Sequence, residues 1–167
     1  MVRKIFLLAL FTLPSVMFAQ EAIKLGHINS MEVMSIMPEV KLMQDSLQKQ
    51  ALLADNTLKE LEDEYNKKMA DYIQARDTLQ ESINTLKIRE LESIRERMQA
   101  FEQDSRQRLQ ELQQRLLTPI QEKFKKALDE VSVENHFTYI IDSQALLYAA
   151  PQSHDVVDLV KAKLGLR

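Results

Sequence analysis

The sequence is poor in residues that interrupt helices and in residues that crosslink small exported domains. Its 167 residues include no cysteine, no tryptophan, two glycines and four prolines. The lack of cysteine excludes disulfides and a lipidated cysteine after the N-terminal apolar run. So few glycines also exclude a Gly-rich phosphate-binding loop. This composition favours long, uninterrupted helices.

The first nineteen residues have the pattern of a secretory signal peptide. Arg3 and Lys4 precede an apolar run that extends to Phe18 and is followed by Ala19. The run contains a proline and is shorter than the roughly 20 apolar residues that cross a bilayer, which argues against a retained membrane anchor. We therefore expect residues 1–19 to be removed after export across the inner membrane. The mature protein is then expected in the periplasm.

The mature chain is acidic. Removal of Arg3 and Lys4 leaves 20 basic side chains against 25 acidic ones, a net charge of −5 for residues 20–167. Nucleic-acid binding requires a clustered basic face, so no nucleic-acid partner is expected.

The titratable residues do not predict catalysis. The histidines, His27, His136 and His154, are far apart in sequence and lack metal-ligand spacing. Asp142, Ser143 and His154 could be read as a triad, but Ser143 falls in a predicted turn and no oxyanion-hole glycines accompany it. We therefore expect no enzyme activity, no catalytic residues, no cofactor and no metal.

The middle of the chain, residues 39–135, reads as helix interrupted only by Pro119. Apolar residues recur there in steps of three and four, as at Val40, Met43, Leu47, Ala51, Ala54, Leu58, Leu61, Tyr65, Met69 and Tyr72, and again from Leu91 to Val131. Such a stripe is typical of a coiled coil. One continuous helix would be about 145 Å long. The stripe equally permits a hairpin that reverses near residues 82–88 and aligns Leu61 with Leu109.

Both ends of the chain contain β-like segments. IKLGHIN, at 23–29, predicts a strand followed by a short helix up to Pro38, with Asn29 and Glu32 as a capping box. FTYIID and ALLYAA, between residues 137 and 150, predict a β-hairpin, and a last helix is predicted to stop at Gly165. A sheet of three short strands is marginal alone. We therefore expect the segments 20–38 and 136–167 to form an assembly body whose candidate interchain contacts are Leu25, Ile28, Tyr139, Ile141, Leu146 and Tyr148.

Three segments together resemble a known family. LGHINSMEVMSIMPE near the N-terminus, the Gln/Glu/Lys-rich helical middle, and NHFTYIIDSQALLYA with DVVDLVKAKLGL near the C-terminus are similar to the periplasmic Skp/OmpH family of outer-membrane-protein chaperones. The resemblance covers the whole mature chain, and its specific parts are the two ends.

The resemblance implies a mainly α fold with a small β part. A long antiparallel helical hairpin, the coiled-coil tentacle, would project from a small β-rich trimerisation body. Three such chains would enclose a cavity that holds unfolded outer-membrane proteins without ATP. The best-known members are basic, whereas this chain is acidic, so contact with lipopolysaccharide or an anionic membrane is not expected.

Two function classes follow: a holdase chaperone, and a structural or adaptor coiled coil that binds folded periplasmic partners. Apolar residues beyond those that a hairpin seam needs favour the first class; they include Leu42, Leu53, Ala70, Ile73, Ile83, Leu86 and Ile88. Unfolded β-barrel chains require many weak, non-directional contacts, which flexible thioethers and aromatic faces provide. The candidate client-binding residues are Met69, Tyr72, Ile73, Ile83, Leu86, Ile88, Met98 and Phe101.

Overall fold

The computed structural model describes residues 23–166, so the predicted signal peptide lies outside the described residues. The chain forms β1 (Leu25–Ile28), α1 (Ser30–Ser35), α2 (Pro38–Ala75), α3 (Glu81–Glu134), β2 (Tyr139–Asp142), β3 (His154–Asp155) and α4 (Val157–Leu164). Two 3-10 turns lie at Arg76–Thr78 and Ser143–Ala145.

The two long helices form an antiparallel hairpin. With 38 residues in α2 and 54 in α3, they extend about 57 Å and about 81 Å. Polar contacts join them along their length, from Glu39 with Lys123 near the body to Lys68 with Glu90 near the tip. The fold class predicted from the sequence, a long helical hairpin with a small β part, is confirmed.

The tip of the hairpin is not at residues 82–88. The chain reverses between Arg76 and Gln80, where Leu79 is extended with ψ 142°, and α3 begins at Glu81. The polar cluster Ser82, Asn84 and Thr85 lies in the first turns of α3. These residue types are favoured at helix starts as well as in turns, so their polarity did not distinguish a helix start from a turn.

The alignment of the two helices also differs from the prediction. Three contacts define it: Lys68 with Glu90, Tyr65 with Arg95, and Glu39 with Lys123. At each contact the two residue numbers add to about 160, whereas the predicted alignment of Leu61 with Leu109 requires about 170. Leu61 therefore faces the region around Met98, and Leu109 lies about 16 Å further along α3. An apolar stripe repeats every turn or two, so its period does not specify the alignment.

The sheet is parallel, with β1 between β2 and β3. Leu25 pairs with Tyr139 and His27 with both Ile141 and Asp155. The predicted strand at FTYIID is present, but ALLYAA is not a strand and the predicted β-hairpin does not form. β2 and β3 lie on opposite sides of β1, so a tight turn cannot join them, and the chain leaves β2 through a 3-10 turn and reaches β3 after eight further residues, 146–153.

The core lies between the inner face of the sheet and the helices. Its fully buried residues include Val33, Val131, Val156 and Val160. A second cluster, formed by Met37, Val40 and Ile120, closes the base of the hairpin. Asn29 caps α1 by accepting from the Glu32 amide at 3.1 Å, but the predicted capping box is only half formed, because the Glu32 carboxylate accepts from Lys161 instead. Gly165 ends α4 in the left-handed region, as predicted.

Candidate functional site

Four apolar side chains are exposed on the outer half of the hairpin. Ile73 is 65% exposed and Leu86 62%, while Ile83 and Ile88 are about two-fifths exposed. All four were client-binding candidates on sequence grounds. Only side chains that lie together would mark a contact surface, so their arrangement around the hairpin matters.

These side chains do not form one patch. Leu86 lies one turn before Glu90, which binds Lys68, and Ile88 lies two turns before Arg95, which contacts Tyr65. Leu86 and Ile88 are two residues apart and so leave α3 on opposite sides. We name the two sides the groove flank, which carries Leu86 and Glu90, and the arginine flank, which carries Ile88 and Arg95.

Ile73 belongs to the arginine flank. It lies five residues beyond Lys68 on α2, just as Arg95 lies five residues beyond Glu90 on α3. Five residues correspond to about 140° of rotation around a helix, which moves a side chain across the seam. Ile73 and Ile88 therefore share one flank, and Leu86 faces the other.

The other four candidates belong to the seam between the helices. Met69, Tyr72, Met98 and Phe101 are half-buried. Sequence reasoning placed them on the apolar stripe, which is where the structure has them. Phe101 is also accessible from outside, because it lines a groove on the groove flank.

That groove was not predicted. It consists of sections that follow one another between α2 and α3 from Phe101 to Pro119, about 27 Å along the helices, and the two outer sections share Gln50 and Arg108. Its section near the body has a volume of about 380 Å³ and is mostly apolar, lined by Leu42, Met43, Leu116, Pro119 and Ile120 together with Glu39, Ser46 and Lys123. The off-stripe positions of Leu42 and Leu53 were the sequence signal for it.

Several of the charges that flank the groove are held in ion pairs. Lys123 donates to Glu39 at the body end of the groove and lowers the pKa of that carboxyl. Lys68 donates to Glu90 in the same way, and this hydrogen bond lowers the pKa of the Glu90 carboxyl and raises the pKa of the Lys68 ammonium. Arg108 is paired with Asp104 at 2.7 Å. Pairing limits what these particular charges can contribute to binding on this flank.

The outer face of the sheet is a second exposed apolar surface. Leu25 is 51% and Tyr139 60% exposed, and the register places them side by side, next to His27 and Ile141. Of the predicted interchain contacts, Leu25, Tyr139, Ile141 and Tyr148 are exposed and Leu146 is half-buried. Ile28 does not fit, because alternate strand residues face opposite sides and its side chain is buried in the chain's own core.

Among residues 23–166 there is no cluster of potential metal ligands, and no helix is both long and apolar enough to cross a bilayer. Asp142 accepts hydrogen bonds from Ser30 and from the Gln144 amide, while the His154 ring packs against Phe137. Asp142 and His154 are therefore engaged in structural contacts.

Comparison with known proteins identifies this architecture. The family model described as outer membrane protein (OmpH-like) matches residues 24–164. A chaperone protein Skp from Yersinia enterocolitica is 25% identical over 145 residues, 84% of this chain and 86% of that protein.

A solved structure has the same fold. The crystal structure of a candidate outer membrane chaperone (OmpH-like) from Caulobacter crescentus CB15 superposes with a TM-score of 0.76 at 14% identity, covering 85% of this chain and 83% of that one. At this identity the likeness establishes the fold, while the family model covers nearly all of the described chain. The helical hairpin and small parallel sheet described above are thus those of a member of the OmpH-like family, to which this chain belongs.

Proposed function

We propose that this protein is a periplasmic, ATP-independent holdase that binds unfolded outer-membrane proteins and keeps them soluble. The observation that carries the proposal is the set of exposed apolar side chains on the outer half of the hairpin: Ile73, Ile83, Leu86 and Ile88. Isolated exposure at single positions is ordinary, but four large aliphatic side chains around one tip provide a surface for apolar clients.

The contacts suit an unfolded client. An outer-membrane β-barrel chain alternates apolar and polar residues and has no fixed shape before insertion. It can be held by many weak apolar contacts spread along both flanks, because the hydrophobic effect has no preferred direction. The groove from Phe101 to Pro119 extends this apolar surface towards the body.

Assembly as a homotrimer completes the proposal. The sheet has three short strands, one of them with two residues, and its outer face exposes Leu25, Tyr139 and Ile141. Open strand edges and an exposed apolar face favour pairing with further copies. Three chains joined through their sheets would place their hairpins around a common cavity.

The assembly is tested with a charge at the sheet face. We expect light scattering to give a trimer mass for the mature chain at micromolar concentration, and Ile141→Asp to lower that mass, because burying an unpaired carboxylate is costly. Val133→Asp, at an exposed position outside the sheet, is the matched control and should leave the trimer intact. A monomer mass for the wild type would exclude the trimer.

The holding activity is tested with a denaturant-diluted outer-membrane β-barrel. We expect the mature protein to keep the client soluble at near-stoichiometric ratio without nucleotide. A structural or adaptor coiled coil, the alternative class, binds folded partners at defined sites and would not delay aggregation. Unchanged turbidity in the presence of the protein would therefore favour the adaptor.

A further inference from the structure

We propose that the groove between α2 and α3 binds an extended, uncharged segment of the unfolded client in which apolar and polar side chains alternate. The inference rests on the proposed holdase function and names the part of the client that this groove takes. The groove lies along the hairpin, whereas the proposed trimer joins its chains through the sheet. The proposed assembly therefore does not need to cover it.

The floor of the groove is apolar and its walls are mixed. Leu109, Leu112 and Leu116 are half-buried along α3, one in each section, whereas Arg108 and Arg115 beside them are exposed. A segment that lies here meets apolar side chains on its inner side and water on its outer side. An extended chain with alternating residues fits, because successive side chains point to opposite faces.

The lining of the groove carries no net charge. Its charged residues are three cations and three anions: Arg108, Arg115 and Lys123, with Asp104, Glu111 and Glu39. The mature chain as a whole has 25 acidic side chains against 20 basic ones, so this neutrality is local. A neutral lining matches a segment that is itself uncharged, and charges are disfavoured on the lipid face of a membrane strand.

Arg115 offers both kinds of hydrogen-bond partner that an extended backbone needs. Pro119 has no amide hydrogen, so the Arg115 carbonyl, four residues before it, lacks its helical donor. The Arg115 guanidinium has no carboxylate partner within ion-pairing distance among residues 23–166, whereas Arg108 is paired with Asp104. A helical ligand satisfies its own backbone groups, but an extended one leaves them to be paired. The groove therefore favours an extended segment over a third helix.

The groove also has about the length of a membrane strand. Its length of about 27 Å holds about eight residues of extended chain at about 3.3 Å each. A strand that crosses the outer membrane has about 9–11 residues. The section of 380 Å³ beside Leu42 and Pro119 has room for a large side chain, such as those of the aromatic girdles that flank the apolar band of a barrel.

The experiment titrates the purified mature protein with a synthetic peptide of about nine alternating apolar and uncharged polar residues. One of the apolar residues is tryptophan. The chain itself contains no tryptophan, so a blue shift of the fluorescence reports only on the peptide. We expect saturable binding. A peptide of the same composition with its apolar residues at helical spacing should bind at least about tenfold more weakly, and tighter binding of that peptide overturns the extended segment.

Two variants test the groove directly. Leu42→Glu places a charge in the apolar section, and Arg115→Met keeps the side-chain stem but removes the donors. Each should weaken binding of the alternating peptide about tenfold. Leu52→Glu, at a similarly exposed leucine of α2 that lines none of the three sections, is the matched control and should bind as the wild type. All three positions are exposed, so circular dichroism should show an unchanged helical fold.

Pro119→Ala separates binding from stability. It returns an amide donor to the Arg115 carbonyl, so it should raise the melting temperature and yet weaken peptide binding. Equal binding by the wild type, Leu42→Glu and Arg115→Met overturns the role of the groove, even if the wild type keeps a denaturant-diluted β-barrel soluble. A wild type that neither binds the peptide nor keeps the β-barrel soluble overturns the proposed holdase function as well.

Discussion

Nη2 of Arg95 on α3 donates a 2.9 Å hydrogen bond to the Tyr65 hydroxyl on α2, and its guanidinium lies 5.5 Å from the Tyr65 ring centre. This contact reveals the alignment of the hairpin, because it joins two residues 30 positions apart that lie several turns from the tip. The same alignment brings Lys68 to Glu90 and Arg97 to Glu64.

The alignment predicts which cysteine pairs can crosslink. Ala54 and Ser105 line the same section of the groove from opposite helices, and both side chains are small. Ala54→Cys with Ser105→Cys should therefore form an intramolecular disulfide, since facing positions of closely packed helices come within disulfide reach. The matched control, Leu61→Cys with Leu109→Cys, is displaced by about 16 Å and should not crosslink within one chain. Mass spectrometry of non-reduced protein distinguishes the pairs, and the reverse result would restore the alignment predicted from the sequence.

Two methionines of the N-terminal segment should differ sharply in their contribution to stability. Met37 is 1% exposed and closes the base of the hairpin with Val40 and Ile120, whereas Met31 is 65% exposed. Met37→Ala should lower the free energy of unfolding by about 3 kcal/mol through lost burial and a residual cavity. Met31→Ala should change it by less than about 0.5 kcal/mol. Urea unfolding followed by circular dichroism measures both, and equal effects would contradict the packing at Met37.

Stability should fall in acid partly through Asp142. The Ser30 hydroxyl, and next the Gln144 amide, hold the pKa of this carboxyl below its ordinary value. The ordinary pKa of an aspartate is about 3.9. A pKa that is lower in the folded state stabilises the fold at pH values above about 3.9, and this contribution disappears as the pH falls through the pKa of the folded state. Ser30→Ala should therefore cost about 1 kcal/mol at neutral pH and little at the acid end of this range.

The matched control for Asp142 is Ser35→Ala. Ser35 donates its hydroxyl hydrogen bond to the Glu32 backbone carbonyl, which does not titrate, so its removal should cost a similar amount at all pH values. Urea titrations at about pH 7 and about pH 3 separate the two variants. A Ser30→Ala penalty that is independent of pH would show that its bond to Asp142 is not the cause.

The ends of α3 and α4 should respond in opposite ways to changes of backbone freedom. Gly165 has a φ of 70°, with open space where the Cβ of a larger residue would lie, and His136 has a φ of 56° after α3. Gly165→Ala should destabilise by about 1 kcal/mol through backbone strain alone, and His136→Gly should stabilise by up to about 1 kcal/mol. Thermal unfolding measures both, and a neutral Gly165→Ala would contradict the left-handed helix end.

Client holding should depend on the exposed residues of both flanks. Changing Ile73, Leu86 and Ile88 together to Ser should weaken client protection about tenfold while the trimer remains intact, because apolar contact area is lost. Leu52→Ser, at an exposed aliphatic position nearer the body, is the matched control and should have little effect. The double variant Ile73→Ser, Ile88→Ser changes only the arginine flank, and Leu86→Ser changes only the groove flank. The variant that loses more protection identifies the flank that faces the client.

The same assay separates apolar from ionic holding. Protection should fall only modestly between low and high salt, because we expect apolar contacts to do most of the holding. Exposed charge interactions are screened within about 8 Å at physiological ionic strength, so holding by charge would weaken strongly as salt is added. Protection that survives the triple change but is lost in high salt would show that charge holds the client.

Local features were predicted well where neighbouring residues decide them. Asn29 caps α1 and Gly165 ends α4 because the side chain or backbone at one position satisfies groups a few residues away. The strand at Tyr139–Asp142 was also predicted, whereas ALLYAA was not correctly assigned. Its β-forming residues lack a strand partner, because β1 has β2 on one side and β3 on the other.

The sequence by itself determined that residues 39–135 are almost entirely helical, because they contain one proline and no glycine and repeat an apolar residue every three or four positions. Only the tertiary structure decided where the hairpin turns, which residues face each other and that the strands are parallel. A repeating stripe is compatible with several alignments of similar burial. Long-range contacts such as Arg95 with Tyr65 and β1 with β2 select one of them, and no local signal encodes these pairings.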